Sequence, residues 1–155
     1  MAAISKDTIT FLKKLGKNND RDWFQENKAE YVKQHEEIIA FADELLGLMN
    51  EHDTIETISG KKSLYRIYRD VRFSKDKAPY KTNWSGGFKR ATKQLRGGYY
   101  FHIQPGGNSF IGGGFWGPSK EDLLRIREEI TTDASEMREI ITSKDFLETF
   151  GTLDG

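Results

Sequence analysis

The chain has 155 residues, of which 36% are apolar, 31% charged and 12% aromatic, enough for a single domain with a buried core and too aromatic for a disordered segment. Cysteine is absent, which excludes disulfides and thiolate ligands or nucleophiles, and no apolar run approaches the roughly 18 residues of a membrane span. Net charge is zero, yet residues 61–120 carry 13 Lys/Arg against 2 Asp/Glu while the flanks carry 11 against 22, so a basic middle lies between acidic ends.

Ser5 is a helix N-cap, followed by Ile9, Phe11, Leu12 and Leu15 at helical spacing, with Gly16 as the stop. A turn over Lys17–Asn19 leads to a second cap at Asp20. Trp23, Phe24, Asn27 and Tyr31 share the next helical face, with a kink or break expected near Asn27. The stripe continues through His35, Ile38, Ala42, Leu45 and Met49 and predicts a long helix buried on one side. His35 lies on that stripe, where a partly buried, hydrogen-bonded imidazole is expected rather than a metal ligand.

After Ser59-Gly60 the period changes to two. Tyr65, Ile67, Arg69, Val71 and Phe73 alternate with Arg66, Tyr68, Asp70 and Arg72, which predicts a strand over 64–73 with one face on the core. Arg69 breaks the apolar set, and a helical pairing of Arg66 with Asp70 is the alternative. Ser74–Pro79 reads as a loop and Trp84–Phe88 as a weaker strand. Tyr99–Gln104 is the clearest strand, Pro105–Asn108 a tight turn, and Ser109–Trp116 the returning strand, which must be antiparallel to the one before it. Ser119 and Asp122 make a capping box for a helix carrying Leu123, Leu124, Ile126 and Ile130, and 135–141 and 143–150 are shorter helices. The expected fold is α+β: one domain over 1–155, with an antiparallel β meander packed against N-terminal and C-terminal helices. The N-terminus has no basic segment before an apolar stretch, so no secretory signal and a cytoplasmic location are expected.

NNDRDWFQENKAEY (18–31), SLYRIYRDVRFSKDKAPYKTN (63–83) and GYYFHIQPGG with the glycine-rich strand after it resemble the bacterial domain-of-unknown-function family numbered 2461, over nearly the whole chain. The resemblance implies the same fold. It implies no catalytic residues or cofactor, because that family has no established activity to carry over. It also implies that longer members continue for several dozen residues past position 155.

On a strand over 64–73, Arg66, Tyr68, Asp70 and Arg72 would share a face, with Asp70 held between two guanidinium groups suited to phosphate or carboxylate. Tyr100, His102 and Gln104 are the polar alternate set of the clearest strand, and Gly112–Gly114 in its partner leave room for a ligand or another backbone segment. The preferred function is therefore binding or turnover of a small anionic ligand by Arg66, Tyr68, Arg72, Lys77, Lys81 and Tyr100, with His102 and Asp70 as candidate catalytic groups. The alternative for Asp70 is a structural salt bridge.

A second function is weak, non-specific nucleic-acid binding by Lys75, Lys77, Lys81, Lys89, Arg90, Lys93 and Arg96, with Tyr80, Trp84 or Phe88 stacking on bases and 89–96 as a mobile loop. Acidic flanks and zero net charge count against it. A third is a protein-interaction module using the apolar face of Phe146, Leu147 and Phe150. GGGFWG (112–117) fits a dinucleotide fingerprint only formally, since no βαβ unit surrounds it. His35, His52 and His102 are too widely spaced for a local metal motif, and Ser85, His102 and Asp70 lack the surroundings of a nucleophile elbow.

Overall fold

The computed structural model describes residues 3–91 and 95–153. The chain divides into two compact units, residues 1–115 and 116–155. The first begins with α1 (Lys6–Lys17), α2 (Arg21–Glu26) and α3 (Lys28–Met49). Ser5 caps α1 by accepting from the Thr8 amide at 3.2 Å, and Asp20 caps α2 by accepting from the Trp23 amide at 2.9 Å. Asn27 is both the end of α2 and the start of α3, so the expected break falls there. Phe11, Leu12 and Leu15 of α1, Phe24 of α2 and Ile38, Ala42 and Leu46 of α3 form one core, each large side chain contributing roughly 1.5–3 kcal/mol of apolar burial. The buried Thr8 hydroxyl donates to Gln34 at 2.7 Å, which satisfies two polar groups where α1 crosses α3.

The sheet has the order β1 (Trp84–Lys89), β2 (Gly98–Ile103), β3 (Phe110–Gly114), antiparallel throughout, so this is an α+β chain with helices at both ends. Gly106 and Gly107, at φ 86° and 80°, make the β2–β3 turn, a backbone region that other residues enter at a cost. Trp84, Phe88, Phe101 and Ile103 face the helical core, while Ser85, Gly87, Tyr100, His102, Phe110 and Gly112 fall on the outer face by register. As the alternation requires, Phe101 and Ile103 are buried and Tyr100, His102 and Gln104 are not, with Tyr99 packed partly buried against the core.

The second edge of β1 is covered in pieces. Tyr65 donates its amide to Ser85, Glu56 to Lys89, and Ala91 donates back to Thr54, at 2.7–2.9 Å. Between those pieces lies α4 (Gly60–Ser63), where Gly60 is pressed on α3 so closely that a Cβ would stand 2.4 Å from the Asp43 nitrogen. This arrangement replaces the strand expected over 64–73. Leu64 and Tyr68 make single bridges, to Gly86 and Tyr80, and of the apolar alternate set only Ile67 is fully buried. Tyr65 lies half exposed and Phe73 is 96% exposed. The chain leaves the sheet after Tyr65 because 67–69 pair with 79–81 instead: Arg69 donates to the Pro79 carbonyl at 2.9 Å and Lys81 to the Ile67 carbonyl at 2.8 Å.

The second unit holds α5 (Lys120–Thr132), α6 (Ser135–Thr142) and α7 (Lys144–Phe150). Ser119 and Asp122 form the expected capping box, and the Phe146 and Phe150 rings lie 5.0 Å apart on one face of α7. None of its described residues is buried. Among the described residues, no helix is long and apolar enough to cross a membrane.

Candidate anion-binding site

The short ladder of 67–69 with 79–81 carries a loop, 70–78, that is tied by its own side chains. Arg72 makes a two-point pair with Asp70 (Nε–Oδ1 2.9 Å, Nη2–Oδ2 2.7 Å), Lys77 donates to the Val71 carbonyl at 2.9 Å, and Arg69 donates to Asp76 at 2.5 Å and to the Ala78 carbonyl at 3.1 Å. The Arg72 guanidinium holds the Asp70 carboxyl below the usual range, with a further pull from Arg66. Asp70 therefore contacts an arginine as expected, but on an exposed loop. Arg72 and Lys77 spend their donors on the loop itself, and Tyr68 leans on the Phe24 and Tyr80 rings.

Lys81 stands apart from these paired cations. Among the described residues neither Lys81 nor Arg66 forms a salt bridge. Burial, and then the neighbouring Arg66, hold the Lys81 ammonium below its ordinary value. Lys81 also lines a polar cleft of about 500 Å³ with Asn19, Arg69, Asp76, Thr82 and Asn83. One wall is fixed by Asn19, whose amide donates to the Tyr80 carbonyl and accepts from the Tyr80 amide, both at 3.0 Å. In this way the α1–α2 turn acts as a strand partner for the residue before Lys81.

From Lys81 a row of groups crosses the outer sheet face. Its ammonium lies 5.8 Å from the Tyr65 ring centre, and Tyr65 is 6.3 Å from the Tyr100 ring. The Tyr100 hydroxyl meets His102 Nδ1 at 2.9 Å, and His102 Nε2 meets Gln104 Oε1 at 2.7 Å. Because a carboxamide oxygen only accepts, Nε2 is the donor to Gln104, and in the neutral imidazole Nδ1 then accepts from the tyrosine. The Phe110 ring stacks on the imidazole at 5.1 Å and 13°. Ser85 stands opposite His102 in register, with both imidazole nitrogens already engaged by Tyr100 and Gln104. The structure thus links Lys81 to Tyr100 and His102 through Tyr65, leaves Arg66 exposed with an electrostatic influence on both Lys81 and Asp70, and sets Asp70, Arg72 and Lys77 on the loop beyond.

A second concavity, of about 400 Å³, lies between the end of α3 and the sheet, lined by Leu45, Met49, Phe88, Phe101 and Ile111. At its polar end Asp53, 13% exposed, accepts from Arg90 at 2.6 Å and from the Tyr99 hydroxyl at 2.8 Å. Hydrogen bonds from Arg90, then Tyr99, hold its carboxyl down at about 2. Arg90, read from sequence as a phosphate contact, is thereby committed to a carboxylate. Tyr80, Trp84 and Phe88, the expected base-stacking rings, are core residues and offer no free face. Lys93 and the middle of the 89–96 segment lie outside the described residues. His35 shares a three-ring cluster with Tyr31 and Trp84, each 5.5 Å from it and 5.4 Å from one another, and among the described residues no three His, Asp or Glu side chains converge to hold a metal.

The profile of a conserved hypothetical protein family, DUF2461, matches residues 7–155. The chain belongs to that family. No curated protein and no solved structure matches it. In this DUF2461 chain, sequence reading missed Asn19 and the Asp53–Arg90–Tyr99 cluster, whose partners are 61, 37 and 46 residues apart and leave no local pattern. Arg69 did leave one, as the cation that interrupts the apolar set of 65–73, and the structure shows its reason in the Asp76 pair beside the cleft.

Proposed function

We propose that this protein binds a small anionic ligand, carrying phosphate or carboxylate, at Lys81 and Arg66, with its body along the row from Tyr65 to His102. The observation that carries this reading is the Lys81 ammonium, partly buried at the cleft and over the Tyr65 ring, with a second cation, Arg66, nearby and no salt bridge of its own among the described residues. An anion placed beside that ammonium relieves both the repulsion and the lost hydration. Both nitrogens of His102 are engaged by Tyr100 and Gln104, so a ligand that spans the row exchanges a proton with this imidazole only by displacing one of them.

Titration with inorganic phosphate and pyrophosphate, followed by calorimetry or amide chemical shifts, tests the reading. Lys81→Ala and Arg66→Ala should each weaken binding about ten- to hundredfold, the effect of removing one charge-assisted hydrogen bond. Arg72→Ala and Lys77→Ala should bind as the wild type does. Affinity should fall on the alkaline side at a pH below the ordinary lysine value of 10.5, because a ligand that needs the ammonium is lost when it deprotonates. Unchanged affinity in Lys81→Ala would refute the assignment.

A further inference from the structure

The geometry points to a ligand that joins a planar heteroaromatic ring to its anionic group, of the mononucleotide class, with the ring on the outer sheet face at Tyr65 and Tyr100; this rests on the anion reading of Lys81 and Arg66. The outer face is unusual for its exposed rings. Tyr65 is 53% and Phe110 55% exposed, and between them come Tyr100 and His102, all four in continuous ring contact. A solvated sheet face would gain by carrying Lys, Glu or Thr at such positions, whereas exposed aromatic faces are what flat rings stack upon.

The neighbours of Tyr100 keep its ring accessible. In register it stands between Gly87 and Gly112. The Gly87 position is occupied by Tyr65, whose hydroxyl lies 2.7 Å from where a Cβ would be. At Gly112 an added Cβ would meet no atom within 4 Å, so packing at that position does not call for glycine. Its consequence is that bare backbone lies beside the tyrosine, where a flat group can approach. A ring resting against Tyr100 over Gly112 carries its acid group back across Tyr65 to Lys81, which already sits at cation–π distance from that ring. Charge complementarity sets the occupant: an uncharged ring leaves the Lys81 ammonium beside Tyr65 without an anion, and a bare anion leaves the aromatic row unused.

Adenosine 5′-monophosphate, adenosine, inorganic phosphate and a short oligodeoxyadenylate serve as probes against the full chain, by calorimetry at two salt concentrations. The mononucleotide should bind about tenfold or more tightly than phosphate, the gain of one stacked base. Gly112→Val, which fills open space in a strand with a residue suited to it, should erase that gain and leave phosphate affinity unchanged. Tyr65→Ala should reduce the gain in the same way, and it stands as the second test if the valine variant melts abnormally. Equal affinity for mononucleotide and phosphate, both lowered by Lys81→Ala, would overturn the ring site while sparing the anion site. Adenosine binding as tightly as the mononucleotide, indifferent to Lys81→Ala, would overturn the anion site and with it the ligand class proposed here. An oligonucleotide that binds more tightly than the mononucleotide, with steep loss at the higher salt, would replace the proposal with a single-stranded nucleic acid. No binding of any probe overturns both.

Discussion

Three side chains show how much one residue decides in this fold. Asn19 closes both backbone groups of Tyr80, so Asn19→Ala leaves a donor and an acceptor beside a buried ring without partners, at a cost of about 1–3 kcal/mol read by thermal melting. Asn19→Asp should not restore it, because a carboxylate cannot donate to the Tyr80 carbonyl. Trp84 is the reverse case: its indole N–H is buried with no acceptor among the described residues. Trp84→Phe removes that unmet donor along with some volume, and the two effects should leave stability within about 1 kcal/mol of the wild type. Asp53 carries a pH signature. Its carboxyl is held at about 2, below its value in the unfolded chain, so its contribution is complete above the ordinary carboxylate range and is lost as pH falls through the folded value. Asp53→Asn should therefore flatten the fall of Tm between about pH 4 and pH 2; a slope equal to that of the wild type would show that other carboxylates govern acid unfolding.

Among the elements, those whose pattern and partners are close together in the chain were legible in advance. The caps at Ser5, Asp20 and Ser119 and the alternation of Tyr99–Ile103 are local chemistry, and each formed as read. The 64–73 segment misled because a period of two also arises where a chain lies extended without a ladder. Ile67 faces the core, but Tyr65 and Tyr68 belong to different pairings, and Pro79 and Tyr80 supply the partner that a continuous strand would have displaced. That misreading moved half the proposed site. Arg66 and Arg72 were expected on one face with Asp70 between them; both act on the Asp70 carboxyl, but Arg72 pairs with it on an exposed loop, while Arg66 acts on it and on Lys81 only through space. Since the Asp70–Arg72 pair is exposed, Asp70→Ala should melt with the wild type, exposed pairs contributing little. A clear loss of Tm would mean that the loop bears more of the fold than its surface position implies.

At the scale of the whole molecule the apolar core belongs to one unit. Among the described residues every fully buried hydrophobic side chain lies within residues 1–115, whereas α5, α6 and α7 bury none of theirs. Residues 1–115 expressed alone should unfold cooperatively with an intact near-UV aromatic signal. Residues 116–155 alone should show partial helicity and no cooperative transition, because helices of 13, 8 and 7 residues are marginal without packing. A sharp transition in the shorter fragment would contradict this division of labour. The Asn19–Tyr80 clasp has a further consequence, in time rather than in energy. Its two ends are 61 residues apart, so closing it costs more chain entropy than forming the α1–α3 hairpin or the β meander, and little reward arrives until both are in place. The clasp should therefore close after the rate-limiting step of folding. In a stopped-flow chevron, Asn19→Ala should steepen the loss through faster unfolding while the refolding rate stays near that of the wild type. Slower refolding by the full stability change would instead make the clasp part of the folding nucleus.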